Sequence, residues 1–117
     1  PSMVFDHVEN PFVVERITED MLKRGAECII CMDDNICISV LNILRKNGVQ
    51  VPKDIKIASF YNSQVLNAYY PPISCVDFNI KELGAVASKT LLDMLLGKEA
   101  VQKRTLGYNV ILKESTK

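Results

Sequence analysis

The chain has 117 residues, 48% hydrophobic and 24% charged, with 14 basic and 14 acidic side chains. This length suits one domain and not two. Zero net charge without a Lys/Arg-rich run gives no electrostatic footprint for nucleic acid, and no apolar run approaches the ~20 residues of a membrane span.

The predicted elements follow in chain order. "MVFDHV" alternates weakly and predicts a short strand, Met3 to Val8. "NPFVVERITEDMLKRG" predicts a helix with Asn10 as N-cap and Pro11 at its first position. Phe12, Ile17, Met21 and Leu22 fall roughly on one face, and Gly25 stops the helix after Lys23 and Arg24. "ECIICM" reads as a strand buried on both sides, because no polar residue alternates within it. A second helix is expected from Asp34 to Asn47, with Ile36, Val40, Leu41 and Leu44 as its inner stripe and Gly48 as its stop.

"VPKD" is a turn and "IKIASF" the next strand; "YNSQVLNAYYPP" is an irregular or partly helical connection. "ISCVDF" is a further strand. "NIKELGAVASKTLLDMLLG" is the clearest helix, with Asn79 and Glu82 as a capping-box-like pair and Gly97 as its stop. "RTLGYNVILKE" supplies a last strand, alternating around Val110 and Leu112. Strands alternating with helices predict an α/β three-layer sandwich: a mainly parallel sheet with helices on both faces. No export leader is visible, and Pro1 in place of an initiating Met predicts a piece of a longer protein.

Cys28 and Cys31 have C-x-x-C spacing, but both sit inside an apolar strand, and the only histidine is His7. The four cysteines are read as buried free thiols acting as small hydrophobes, which suits a reducing cytoplasm.

In open α/β sheets, ligands bind outside the carboxyl ends of the strands. Asp33 and Asp34 fall there after one strand, Tyr61 and Asn62 after the next, Asp77 and Phe78 after the third, and the Glu9–Asn10 loop should open on the same edge. One of the two adjacent aspartates should cap the helix that follows; the other is free for a ligand. No phosphate loop, nucleophile elbow or zinc-protease motif is present. No catalytic residue, metal site or cofactor is therefore expected. His7 reads as a surface residue.

Phrases in order carry a resemblance. "CIICMDDNICISVLNILRKNGVQVPKDIKIASF", "YYPPISCVDFNIKELGAVASKTLLDMLLGKE" and "NVILKEST" are similar to the C-terminal part of the lactose/galactose-repressor family of bacterial transcription regulators. The carrying phrases are Asp33-Asp34, Gly48 to Ile55, Phe60 with its neighbours, Pro72 to Val76, Glu82-Leu83-Gly84 and Lys113 to Thr116. The resemblance runs from about residue 10 to the end.

The resemblance implies a periplasmic-binding-protein-like fold, of which this chain is the C-terminal half of the effector core. Residues 105–117 are allotted either here or to the missing subdomain. It implies a small-molecule effector, a sugar first of all, met by Asp33, Tyr61, Asn62 and Phe78. Asp33 stands where the family has Asn, Tyr61 where it has Asp, and Phe78 near a polar position, so aromatic stacking partly replaces polar contacts. It also implies a cytoplasmic homodimer paired through Ile38, Asn42 and the segment Tyr69 to Ile73, with Tyr69 and Tyr70 at its centre. Operator DNA would be read by a segment absent from this chain, with no membrane contact. The alternatives are a fragment of a transporter's solute-binding protein, or a metal-dependent receiver-like domain using Asp33 and Asp34.

Overall fold

The computed structural model describes residues 3–6, 8, 10–101 and 103–117. Helix α1 spans Pro11–Lys23, and Asn10 Oδ1 accepts the Phe12 N–H at 2.9 Å as its N-cap. Its stop, Gly25, has φ +73°, a left-handed turn that glycine enters without a Cβ clash. Then follow β1 (Cys28–Cys31), α2 (Asp34–Lys46), β2 (Lys56–Ser59), α3 (Gln64–Ala68) and β3 (Ser74–Asp77). Helix α4 (Ile80–Leu95), β4 (Asn109–Ile111) and a 3-10 turn (Glu114–Thr116) complete the described elements. The sheet order is β1-β2-β3-β4, with β1 to β3 parallel and β4 antiparallel to β3. This is the mainly parallel α/β architecture expected.

One apolar cluster joins the sheet to α1, α2 and α3 through Val14, Ile29, Val40, Leu44, Ile57 and Leu66. On α2 the buried positions are Cys37, Val40, Leu41 and Leu44, while Ile36 is half-buried. Phe12 is 80% exposed rather than inward. The buried face of α1 is set by Val14 and Thr18, one turn apart, and two residues of helix rotation carry Phe12 roughly 200° away from Val14.

Strand β1 corrects another expectation. Ile29 and Cys31 are buried, but Cys28 and Ile30 are exposed, the latter by 61%. The helices cover one face of β1; no described element covers the other. The predicted strand from Met3 to Val8 is also absent at residues 3–6 and 8. Weak alternation makes no strand unless a neighbouring ladder pairs its backbone. His7 lies outside the described residues.

Helix α4 contributes no buried residue; Leu83, Leu91 and Leu95 are all exposed. Its expected capping box does not form. Asn79 has φ +49° and makes no side-chain bond to the helix backbone; its amide donates instead to the Glu82 carboxylate at 2.6 Å. Asp77 Oδ1 accepts the Asn79 N–H at 2.9 Å, which turns Asn79 away from the extended geometry a side-chain cap needs.

The chain end is fastened to the sheet. Ser115 is fully buried; its Oγ donates to the Ile57 carbonyl at 2.7 Å and accepts the Ser74 N–H at 2.8 Å. Ser74 Oγ in turn accepts the Lys113 N–H at 2.7 Å and lies 2.7 Å from Thr116 Oγ1. Of the residues allotted either here or elsewhere, Asn109 to Ile111, Lys113, Ser115 and Thr116 are thus bonded to β2 or β3.

Candidate functional site

Three parallel strands end side by side, and neighbouring strands lie about 4.8 Å apart. The loops after β1 and β3 therefore stand roughly 10 Å apart at their strand ends, with the loop after β2 between them. Cys31, Ser59 and Cys75 share one register across the sheet, which aligns these exits.

After β1, Asp33 is the capping acid: its Oδ1 accepts the Ile36 N–H at 2.8 Å. Among the described residues its second oxygen accepts no hydrogen bond and remains available to a ligand donor. Asp34 begins the helix. An acid in the first turn also faces the positive end of the helix dipole. Beneath them, Cys31 is buried, and its hydrogen bond to Cys37 together with burial pushes its thiol far above the ordinary range. That sulfur is a packing group.

After β2, the Tyr61 N–H donates to Ser59 Oγ at 3.0 Å, which turns the chain outward and leaves the ring exposed. Asn62 points its oxygen inward: Oδ1 accepts the Cys75 thiol at 3.2 Å and the Asn67 amide at 3.1 Å. The Lys113 ammonium completes this group, donating to Asn67 Oδ1 and, at 3.3 Å, to Cys75 Sγ. With its oxygen committed, Asn62 keeps its amide N–H groups for another acceptor. After β3, Phe78 meets Tyr108 from the returning chain, with ring centres 6.5 Å apart and planes tilted by 56°.

The four residues expected at the effector wall thus occupy three adjacent loops of one sheet edge. They make no hydrogen bond to one another among the described residues. Tyr108, Asn67 and Lys113 stand beside them and were not expected there. Tyr108 alternates with Val110 and Leu112, a usable signal. Asn67 and Lys113 are polar residues whose roles depend on contacts distant in the chain.

The residues expected to pair two copies divide. Tyr70 is 91% exposed and Asn42 exposed, whereas Ile38 and Tyr69 are half-buried. Ile73, placed in the same segment, is fully buried. Tyr69 lies beneath Arg45, whose guanidinium carbon is 5.4 Å from the ring centre, and its hydroxyl accepts an Arg45 N–H. An open groove of about 280 Å³ runs between α2 and this segment, lined by Leu41, Arg45, Val49, Tyr69, Tyr70 and Pro71.

The family model for a periplasmic binding protein-like domain matches residues 5–116. The HTH-type transcriptional regulator RegA of Clostridium saccharobutylicum is 32% identical over 96 residues, covering 81% of this chain and 29% of that protein. The HTH-type transcriptional regulator GalR of Streptococcus thermophilus is 32% identical over 105 residues, covering 86% of this chain and 32% of that protein. Among solved structures, the transcription regulator CcpA of Lactococcus lactis matches with a TM-score of 0.84 and 27% identity. That match covers 97% of this chain and 45% of the solved one. The chain thus spans less than half the length of each. The match along nearly the whole chain agrees with the mainly parallel sheet: the chain belongs to the periplasmic-binding-protein-like domain family, in the form carried by LacI/GalR-type transcription regulators.

Proposed function

We propose that this chain is the C-terminal half of the effector-binding core of a bacterial transcription repressor, and that it senses a sugar or a similar small molecule. The observation that carries this reading is the alignment of Asp33, Tyr61, Asn62 and Phe78 along three adjacent parallel strand ends, where open α/β sheets hold ligands. Carboxylate and amide groups beside aromatic rings suit a ligand with hydroxyls on its rim and an apolar face.

The module acts by binding, not catalysis, and works in the cytoplasm. No helix among the described residues is long and apolar enough to cross a membrane. DNA is contacted by a segment outside this sequence, whose zero net charge offers little to phosphates. Two copies pair through the outer face of α2 and the Tyr69–Tyr70 segment. The exposed apolar side of α4 faces the other subdomain. A transporter's solute-binding protein would share the fold, but the named relatives are regulators. Among the described residues no three of His, Cys, Asp or Glu are grouped to hold a metal.

The test is operator binding by the intact regulator, titrated with a panel of mono- and disaccharides. At least one sugar should change operator affinity. Affinity unmoved by every sugar, in a regulator that binds its operator, would defeat the sugar reading.

A further inference from the structure

We propose that Tyr108 is a specificity-determining residue of the effector cleft: with Phe78 it forms a two-ring notch that receives the apolar face of a ring-shaped ligand. The inference rests on the effector-binding reading above. The last rung between β3 and β4 pairs Asp77 with Asn109. One step further out, Phe78 and Tyr108 stand opposite each other, past the carboxyl end of β3.

Their rings touch at a tilt, 6.5 Å between centres and 56° between planes. Here Phe78 stays 42% exposed and Tyr108 66% exposed. The tilted pair thus keeps part of each ring open to a ligand. Aromatic faces take the C–H side of a saturated ring, and a tyrosine hydroxyl can bond at its rim. Tyr61, exposed on the loop after the neighbouring strand, extends the same aromatic edge.

Tyr108 enters from a different part of the chain than the other wall residues. Asp33, Tyr61 and Phe78 each follow a strand, whereas Tyr108 precedes one, on the segment returning from α4. A ligand seated in the notch therefore touches both the outgoing and the returning segment.

The experiment uses the intact regulator, titrated with the methyl pyranosides of glucose, galactose and mannose, and with sorbitol as an open-chain polyol. Wild type should bind at least one pyranoside in clear preference to sorbitol. Tyr108→Ala should lose about tenfold in affinity for it, and Tyr108→Phe should stay within about threefold of wild type, since the ring carries the contact. Tyr108→Leu keeps apolar contact with Phe78 and serves as a second variant should Tyr108→Ala fail to fold; it too should lose ring-over-chain preference. If Tyr108→Ala or Tyr108→Leu melts earlier but binds the pyranoside like wild type, the pair is only a strand fastener and the inference is overturned while the cleft stands. If wild type responds to other sugars but to no pyranoside, the notch falls alone. If it responds to no sugar at all, the underlying reading falls with it.

Discussion

Asp33 accepts the Ile36 N–H at 2.8 Å, so the acid at the mouth of β1 also starts α2. One side chain thus has a structural oxygen and a second that accepts no hydrogen bond among the described residues, and a single truncation removes both.

Asp33→Ala should therefore lower stability by about 1 kcal/mol, the usual effect of losing an N-cap. It should also weaken the effector response of the intact regulator by about 1–3 kcal/mol. Asp33→Ser retains a cap oxygen and should show only the second effect. Denaturant unfolding and effector-dependent operator release measure the two separately. A wild-type response in Asp33→Ser would remove Asp33 from the site.

Tyr69 and Tyr70 should answer differently to the same change. Tyr70→Asp places a charge on a side chain that is 91% exposed, so it should shift a dimer to monomer in sedimentation velocity without altering the melting temperature. Tyr69→Asp should also weaken the fold, by about 0.5–1 kcal/mol for the lost Arg45 contact alone. An undisturbed dimer in both variants would rule out this segment as the interface.

Ser115→Ala should be among the costlier single-atom deletions in the chain. It leaves the Ile57 carbonyl and the Ser74 N–H without the partner they share. A buried backbone group left unpaired costs about 1–3 kcal/mol. Equilibrium unfolding reads the loss directly, and a change under about 0.5 kcal/mol would mean that the backbone closes the gap unaided.

Of the four cysteines, Cys28 alone is exposed. Burial pushes its thiol up, partly offset by the neighbouring Lys56. An aromatic disulfide reagent should modify one thiol quickly in this folded chain and four after denaturation. The fast rate should keep rising with pH beyond about 8.5, where an ordinary thiol is already half ionised. Cys28→Ser should abolish the fast phase; a fast phase that survives would place another sulfur at the surface.

Local chemistry made much of the fold legible. Asn10 with Pro11, and Asp33 ahead of an apolar stripe, start helices by bonds made within three residues. The order of strands follows from their alternation with helices. What escaped was set by distant partners. "CIIC" announced two covered faces, yet the described elements cover one. The apolar stripe of α4 was plain, but nothing in it revealed that the helix would stand uncovered here. Counting strand ends placed Asp33, Tyr61, Asn62 and Phe78 on one sheet edge, and the structure has them there. Tyr108 and Lys113 were not placed there because their positions depend on pairing β4 with β3, across the whole of α4.

The Ser115 clasp also implies an order of assembly. β1, α2 and β2 are consecutive, so their contacts close short loops. Residues 113–116 must come back past α4 to reach Ile57 and Ser74. Loop closure costs more entropy over that span, which makes this contact a late one. Until it forms, the Ser74 N–H and the Ile57 carbonyl at the seam between β2 and β3 lack the hydroxyl that bonds both. The final residues are therefore the closing step of the sheet, and a chain cut before Lys113 would leave that seam open.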